Sequence, residues 1–162
     1  MIARRTAWLA VAAVALSAAC GADTPVLALR ELDLGPHHIQ VSVPEGWEFL
    51  DQGAQKRFRK GESEVVMENL GKADLEASAL KMIGDDERRE VKVRRPLTID
   101  GHQAVAIETW SRLDHTWPER LLFVGVDDDV IALHTERLVD DSVAKAFESI
   151  QGSLHFGASV RR

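Results

Sequence analysis

Ile39, Val41 and Val43 alternate with Gln40 and Ser42, the period of two that marks a strand with one buried face. Pro44-Glu45-Gly46 stops this strand, because proline removes a ladder donor and glycine frees the backbone. Trp47 and Phe49 follow as large core candidates, while Leu32 and Leu34, with a turn at Gly35-Pro36, open the ordered part of the chain. Residues 57–59 and 64–67 read as two further strands joined at Lys60-Gly61-Glu62. The period then changes. Leu75, Ala79, Met82 and Ile83 share a helical face over residues 74–83, with Asp74 placed to cap the start and Gly84 to end it.

Alternation returns over residues 88–97, which predicts Val91 and Val93 inward and Lys92 and Arg94 outward. Asp100-Gly101 is a hairpin dipeptide leading into residues 104–110, where Val105 and Ile107 share a face. Residues 121–126 and 130–133 are apolar on both sides and are joined by Asp127-Asp128-Asp129. Such continuous runs belong in the middle of a sheet covered on both faces. Val143, Phe147 and Ile150 recur at helical spacing over residues 141–150, with Asp140 or Asp141 as cap, and residues 153–156 suit a short closing strand. The pattern predicts one α+β domain over residues 32–156, an antiparallel sheet flanked by helices, with residues 157–162 as a flexible tail. No repeat or second domain boundary is visible.

Residues 1–19 have a different character: Arg4 and Arg5, then an apolar run over residues 7–19 that ends in small residues. This is the form of a secretory signal, and the run is too short to span a bilayer, which takes about 20 apolar residues. Cys20 closes it and is the only cysteine in the chain. An exported protein with one cysteine calls for a partner or a modification at that residue, so Cys20 is the expected site of lipidation, with residues 20–31 as lipidated cysteine and tether. Leu16 lies four residues before Cys20, where a lipobox places its leucine three before. Ordinary signal-peptidase cleavage after Ala19 or Ala22 is the alternative. Gly21, rather than aspartate, follows Cys20, which favours the outer membrane by the sorting rule of enteric bacteria.

Composition narrows the function classes. Removing Arg4 and Arg5 takes the net charge from −6 to −8, with 18 Lys and Arg against 26 Asp and Glu. That argues against nucleic-acid binding, which needs a basic surface. With no second cysteine, an internal disulfide is ruled out, and stability must come from a packed core.

Pro44-Glu45-Gly46-Trp47 after a strand resembles the P-x-G-W opening of PsbP-like and DcrB-like domains. The turn Ile99-Asp100-Gly101-His102-Gln103-Ala104, the strand meander and a terminal helix running into Phe147-Glu148-Ser149-Ile150 agree with it. The resemblance covers residues 32–154. It implies an α/β/α sandwich on an antiparallel sheet, in a group that includes exported bacterial lipoproteins, a photosystem assembly subunit and chaperone-like binding modules. It transfers no catalytic residues and shifts the expectation toward binding.

Candidate chemistry is sparse. The six histidines, His37, His38, His102, His115, His134 and His155, show no helical i, i+4 pair and no tight Cys/His spacing, and read as surface and loop residues. The aspartates 127–129 lack the alternating ligands, central glycine and distal glutamate of a calcium loop and read as a hairpin turn. No G-x-S-x-G elbow occurs. Neither a metal nor another cofactor is expected. Arg88, Arg89, Lys92, Arg94 and Arg95 form the one basic cluster. They suit either an acidic partner or anionic headgroups, or the charged protection of a sheet edge. Trp110 and Trp117 flank the polar stretch 111–116, and aromatic residues are enriched at interfaces. The expected function is a lipid-anchored, non-catalytic envelope protein that binds an envelope protein partner in an assembly or scaffold role. Trp110, Trp117, Arg88, Lys92 and Arg94 are the candidate contacts. A carrier or sensor of a small apolar ligand in a sheet–helix groove is the second reading, and an envelope hydrolase the third.

Overall fold

Leu121, Leu122, Phe123 and Val124 are buried almost completely, and the strand they form lies inside a seven-stranded antiparallel sheet. The computed structural model describes residues 28–84, 89–111, 118–136 and 141–157. In chain order the elements are β1 (Ala28–Leu34), β2 (His37–Val43), β3 (Glu48–Gln52), β4 (Gln55–Lys60), β5 (Ser63–Lys72), α1 (Leu75–Ile83), β6 (Arg89–Ile99), β7 (His102–Ser111), β8 (Glu119–Val126), β9 (Asp129–Thr135), α2 (Asp141–Ser153) and β10 (His155–Phe156). The large sheet runs β3-β4-β5-β9-β8-β7-β6, and a small sheet runs β1-β2-β10.

The doubly apolar strands β8 and β9 lie in the interior of the large sheet, as their composition predicts. Their side chains alternate between two cores. Leu122, Val124, Ile131 and Leu133 meet α2 through Val143, Phe147 and Ile150, and meet the small sheet through Leu34, Ile39 and Val41. Leu121, Phe123, Val130 and Ala132 point the other way, toward Ala79, Leu75 and Met82 of α1. The fold is therefore α+β, with antiparallel sheets flanked by two helices.

Asp74 caps α1 by accepting from the Ala77 N–H at 2.9 Å, and Gly84, at φ 67, closes it through a hydrogen bond to Leu80 O. α2 starts at Asp141 and runs to Ser153, beyond the predicted 150, while Asp140 lies outside the described residues. Asp100 and Gly101 both have positive φ, 49 and 83, as a two-residue type I′ hairpin requires.

Three expectations are corrected. β1 begins at Ala28, inside the segment read as a tether. It pairs with β2 along its whole length, but Ala28, Leu29, Arg30 and Glu31 are all exposed, so no alternation announces them. Val91 and Val93 are not inward: they are 46% and 45% exposed. β6 is an edge strand, and a bulge at Lys92 pairs Val91 with Thr109 but Val93 with Glu108, which turns the two valines to opposite faces. Finally, His37 is a buried residue, 2% exposed.

His37 belongs to the join between the sheets. Its Nε2 donates to Asp129 Oδ2 at 3.0 Å, and Asn69 Nδ2 donates to the same oxygen at 3.1 Å and to Leu34 O at 3.2 Å. A second join lies at the β6–β7 turn, where Asp100 Oδ2 accepts from the Phe156 N–H at 2.7 Å and lies 2.8 Å from His155 Nδ1. These contacts hold both carboxyls below the ordinary aspartate range. For Asp129 the Asn69 hydrogen bond is the largest cause, and for Asp100 the Phe156 N–H.

Candidate binding cleft

The bulge at Lys92 brings Val93 beside Glu108 and Arg95 beside Ala106. β7 in turn pairs Glu108 with Arg120 and Ala106 with Leu122 of β8. Paired residues share a face, so Val93, Arg95, Glu108 and Arg120 all stand on the α2 side of the sheet. α2 covers β5, β9 and β8 but stops short of the β6 edge. A cleft of about 440 Å³ remains there, with Phe147 and Glu148 of α2 forming its far wall.

The charges in this cleft are unevenly paired. Arg120 Nη1 lies 2.6 Å from Glu148 Oε1, and its Nε lies 4.0 Å from Glu108 Oε2. Glu108 also accepts from the Trp110 indole N–H at 3.0 Å, which ties that half-buried ring to a residue of the cleft lining. Arg95 makes no ion pair among the described residues. The cleft thus presents the Arg95 cation beside exposed Val93, an apolar wall at Phe147, and two acids already engaged by Arg120. Among the described residues its lining carries no hydroxyl, thiol or imidazole. Charge and apolar surface are what it offers a ligand.

The candidate contacts are distributed unevenly about this site. Trp110 is beside it. Lys92 is the bulged residue, its Nζ 2.9 Å from Glu90 Oε1. Arg94 faces the other way and pairs with Glu76 of α1, and Arg89 pairs with Glu119 at 3.3 Å. Arg89, Lys92 and Arg94 of the basic cluster are therefore engaged within the protein. Cys20, Arg88, Trp117 and His115 lie outside the described residues. The sequence reading did not single out Glu108, Arg120 or Glu148. Opposite charges at Glu108 and Arg120 are a signal only once the β7–β8 register places them side by side.

The face of β3, β4 and β5 on the α1 side is lined by ion pairs, Arg57 with Glu64 and Glu136 and Arg59 with Glu48. His134 Nε2 lies 3.3 Å from Glu68 Oε1 on the same face. Among the described residues no three His, Cys, Asp or Glu side chains gather as a metal site, and no helix is long and apolar enough to cross a membrane.

No protein-family model matches the sequence, and no curated protein matches it. The structure is similar to cyanobacterial PsbP (CyanoP) from Synechocystis sp. PCC 6803, with a TM-score of 0.57 and 13% identity over 82% of this chain and 95% of that one. It is also similar to LpqN, a protein involved in cell envelope biogenesis of Mycobacterium tuberculosis, with a TM-score of 0.51 and 13% identity over 82% of this chain and 92% of that one. Identity this low speaks for the fold alone. That fold is PsbP-like, in agreement with the strand, Pro44-Glu45-Gly46-Trp47 and meander pattern.

Proposed function

We propose that this chain is a lipid-anchored protein of the bacterial envelope that acts by binding a protein partner, in an assembly or scaffold role, and that the β6–α2 cleft is its contact surface. The observation that carries the reading is the cleft itself. An edge strand, a fixed indole, an exposed valine and an arginine without an ion pair among the described residues come together where the helix cover ends. Interfaces favour aromatic and arginine anchors over lysine and acid, and Arg95 gives the site a preference for an acidic group on the partner.

Compartment rests on the leader. Arg4 and Arg5, the short apolar run and Cys20 support export and acylation, and Gly21 supports sorting to the outer membrane. LpqN, which shares the fold, is an envelope-biogenesis protein, and that supports the same compartment by analogy of fold.

Crosslinking in intact cells followed by purification of the full-length, lipidated protein tests the proposal. The expected result is one reproducible envelope protein whose recovery falls when Arg95 is replaced by Glu. Equal recovery with wild type and Arg95→Glu contradicts the assigned surface, and recovery of no envelope protein contradicts the binding role.

A further inference from the structure

α1 leaves an opening of its own on the opposite face of the large sheet, away from the β6–α2 cleft. Leu75, Met82 and Ile83 turn toward the sheet around the buried Ala79, so the next flank of the helix, Ala77, Ser78 and Lys81, runs beside Leu70 and Ala73. Residues three and four apart share a helix flank. Three of these five side chains are small, and the space a larger residue would fill stays open as a groove of about 320 Å³, which Met82 completes. This is the lower end of the size range of ligand sites.

The lining has a definite chemical character. Among the described residues that line it, Leu70, Ala73, Ala77 and Met82 are apolar, Ser78 supplies a hydroxyl, and Lys81 is the one charge. The β6–α2 cleft, by contrast, mixes two arginines with two glutamates. A third cleft at the sheet's end holds Asp74 and the aspartates 127–129. We infer that the α1 groove binds a single-chain amphiphile with an anionic head, of the fatty carboxylate class. Its chain lies along Leu70, Ala73, Ala77 and Met82, and its carboxylate meets the Lys81 ammonium and the Ser78 hydroxyl.

A protein occupant fits less well. Among the described residues the exposed large hydrophobics are Leu29, Leu80, Val91 and Val93, and of these only Leu80 lies on α1. A stable protein interface needs about 800 Å² per partner around an apolar centre, and one leucine beside a narrow groove does not provide that centre. A cationic amphiphile would meet the Lys81 ammonium, and none of the described lining residues is an acid that could receive it. The inference stands apart from the proposed partner site, because the two openings lie on opposite faces of one sheet.

Titration of the mature full-length chain with sodium dodecanoate below its micellar concentration tests this, followed by calorimetry and by methyl NMR of Ala73, Ala77 and Met82. The expected result is saturable 1:1 binding that shifts those methyls. Dodecyltrimethylammonium should bind at least tenfold more weakly. Lys81→Glu, an exposed substitution, should weaken dodecanoate about three- to tenfold, and Ala77→Leu should abolish binding by filling the groove. Absence of saturable binding to the wild type overturns the inference. So does equal binding of the cationic detergent, undiminished binding by Lys81→Glu, or methyl shifts confined to other sites. Partner crosslinking at the β6–α2 cleft should be unchanged in Lys81→Glu, which separates failure of this site from failure of the proposed function.

Discussion

His37 Nε2 and Asp129 Oδ2 stand 3.0 Å apart across 92 residues of sequence, and the bond joins the first turn of the small sheet to the last hairpin of the large one. Asn69 Nδ2 reaches the same oxygen from β5 and also ties down Leu34 O. Gly35 lies directly beside this join at φ +67, and a Cβ there would approach Asn69 Nδ2 at 3.1 Å. Three segments far apart in sequence thus meet on one carboxylate.

Asp129→Ala should destabilise the protein by about 2–3 kcal/mol in urea unfolding, because two donors lose a charged acceptor and the His37 imidazole is left buried without it. Asp129→Asn, which keeps one oxygen, should cost about half as much. A loss below 0.5 kcal/mol for the alanine variant would show that the join contributes nothing to the sheet–sheet contact.

Acid should unfold the protein through its aspartates. Asp129, Asp100 and Asp51 all have folded pKa values below the ordinary 3.8, the last chiefly through its hydrogen bond to buried Lys56. A depressed folded value means that the unfolded chain takes up protons first. Their contribution is therefore complete above about pH 5 and is lost as pH falls through and below 3.8. Thermal midpoints measured from pH 7 to pH 2 should be flat down to about 5 and then fall, and the fall should be shallower in Asp129→Asn. Midpoints that rise on acidification would reverse the sign.

Much of this fold is legible in the sequence. The central strands β8 and β9 are apolar on both sides, Asp74 and Gly84 bracket α1, and Asp100-Gly101 marks a type I′ turn, because each of these is a local signal. The division into two sheets is not local. Ile39, Val41 and Val43 alternate as they would in any sheet, and nothing in that alternation says that β2 pairs with β1 and β10. The aspartates at 100 and 129 read as turn residues, but Asp129 is the first residue of β9, and both carboxylates clamp the small sheet. Partners as distant as Phe156 and His37 leave no trace in spacing. The β6–α2 cleft was half legible. Trp110 and the basic strand point toward it, but one bulged residue at Lys92 decides that Val93 and Arg95 enter it while Arg94 pairs with α1.

The bulge also predicts where mutations are tolerated. Val91→Thr and Val93→Thr, on half-exposed positions of the edge strand, should each change stability by less than about 0.5 kcal/mol. Leu122→Ala, fully buried between the β8 neighbours and α2, should cost about 2–5 kcal/mol. A cost above 1.5 kcal/mol at either valine would return them to the core and contradict the bulged register.

Attachment is tested at Cys20. Radiolabelled palmitate should enter the wild-type protein in cells and should be absent from Cys20→Ser, which should appear in the soluble periplasmic fraction. Equal labelling of both would mean that the leader has been misread.

The central claim is that the open cleft beside Arg95 and Trp110 is where this protein meets its partner. Incorporating a photoreactive phenylalanine at Val93, on the cleft, and separately at Glu62, in the exposed β4–β5 turn, tests it in living cells. A discrete adduct with one envelope protein is expected from position 93, diminished at least fivefold by Arg95→Glu and absent from position 62. Adducts of equal yield from both positions, or an adduct at 93 that Arg95→Glu leaves unchanged, would contradict it.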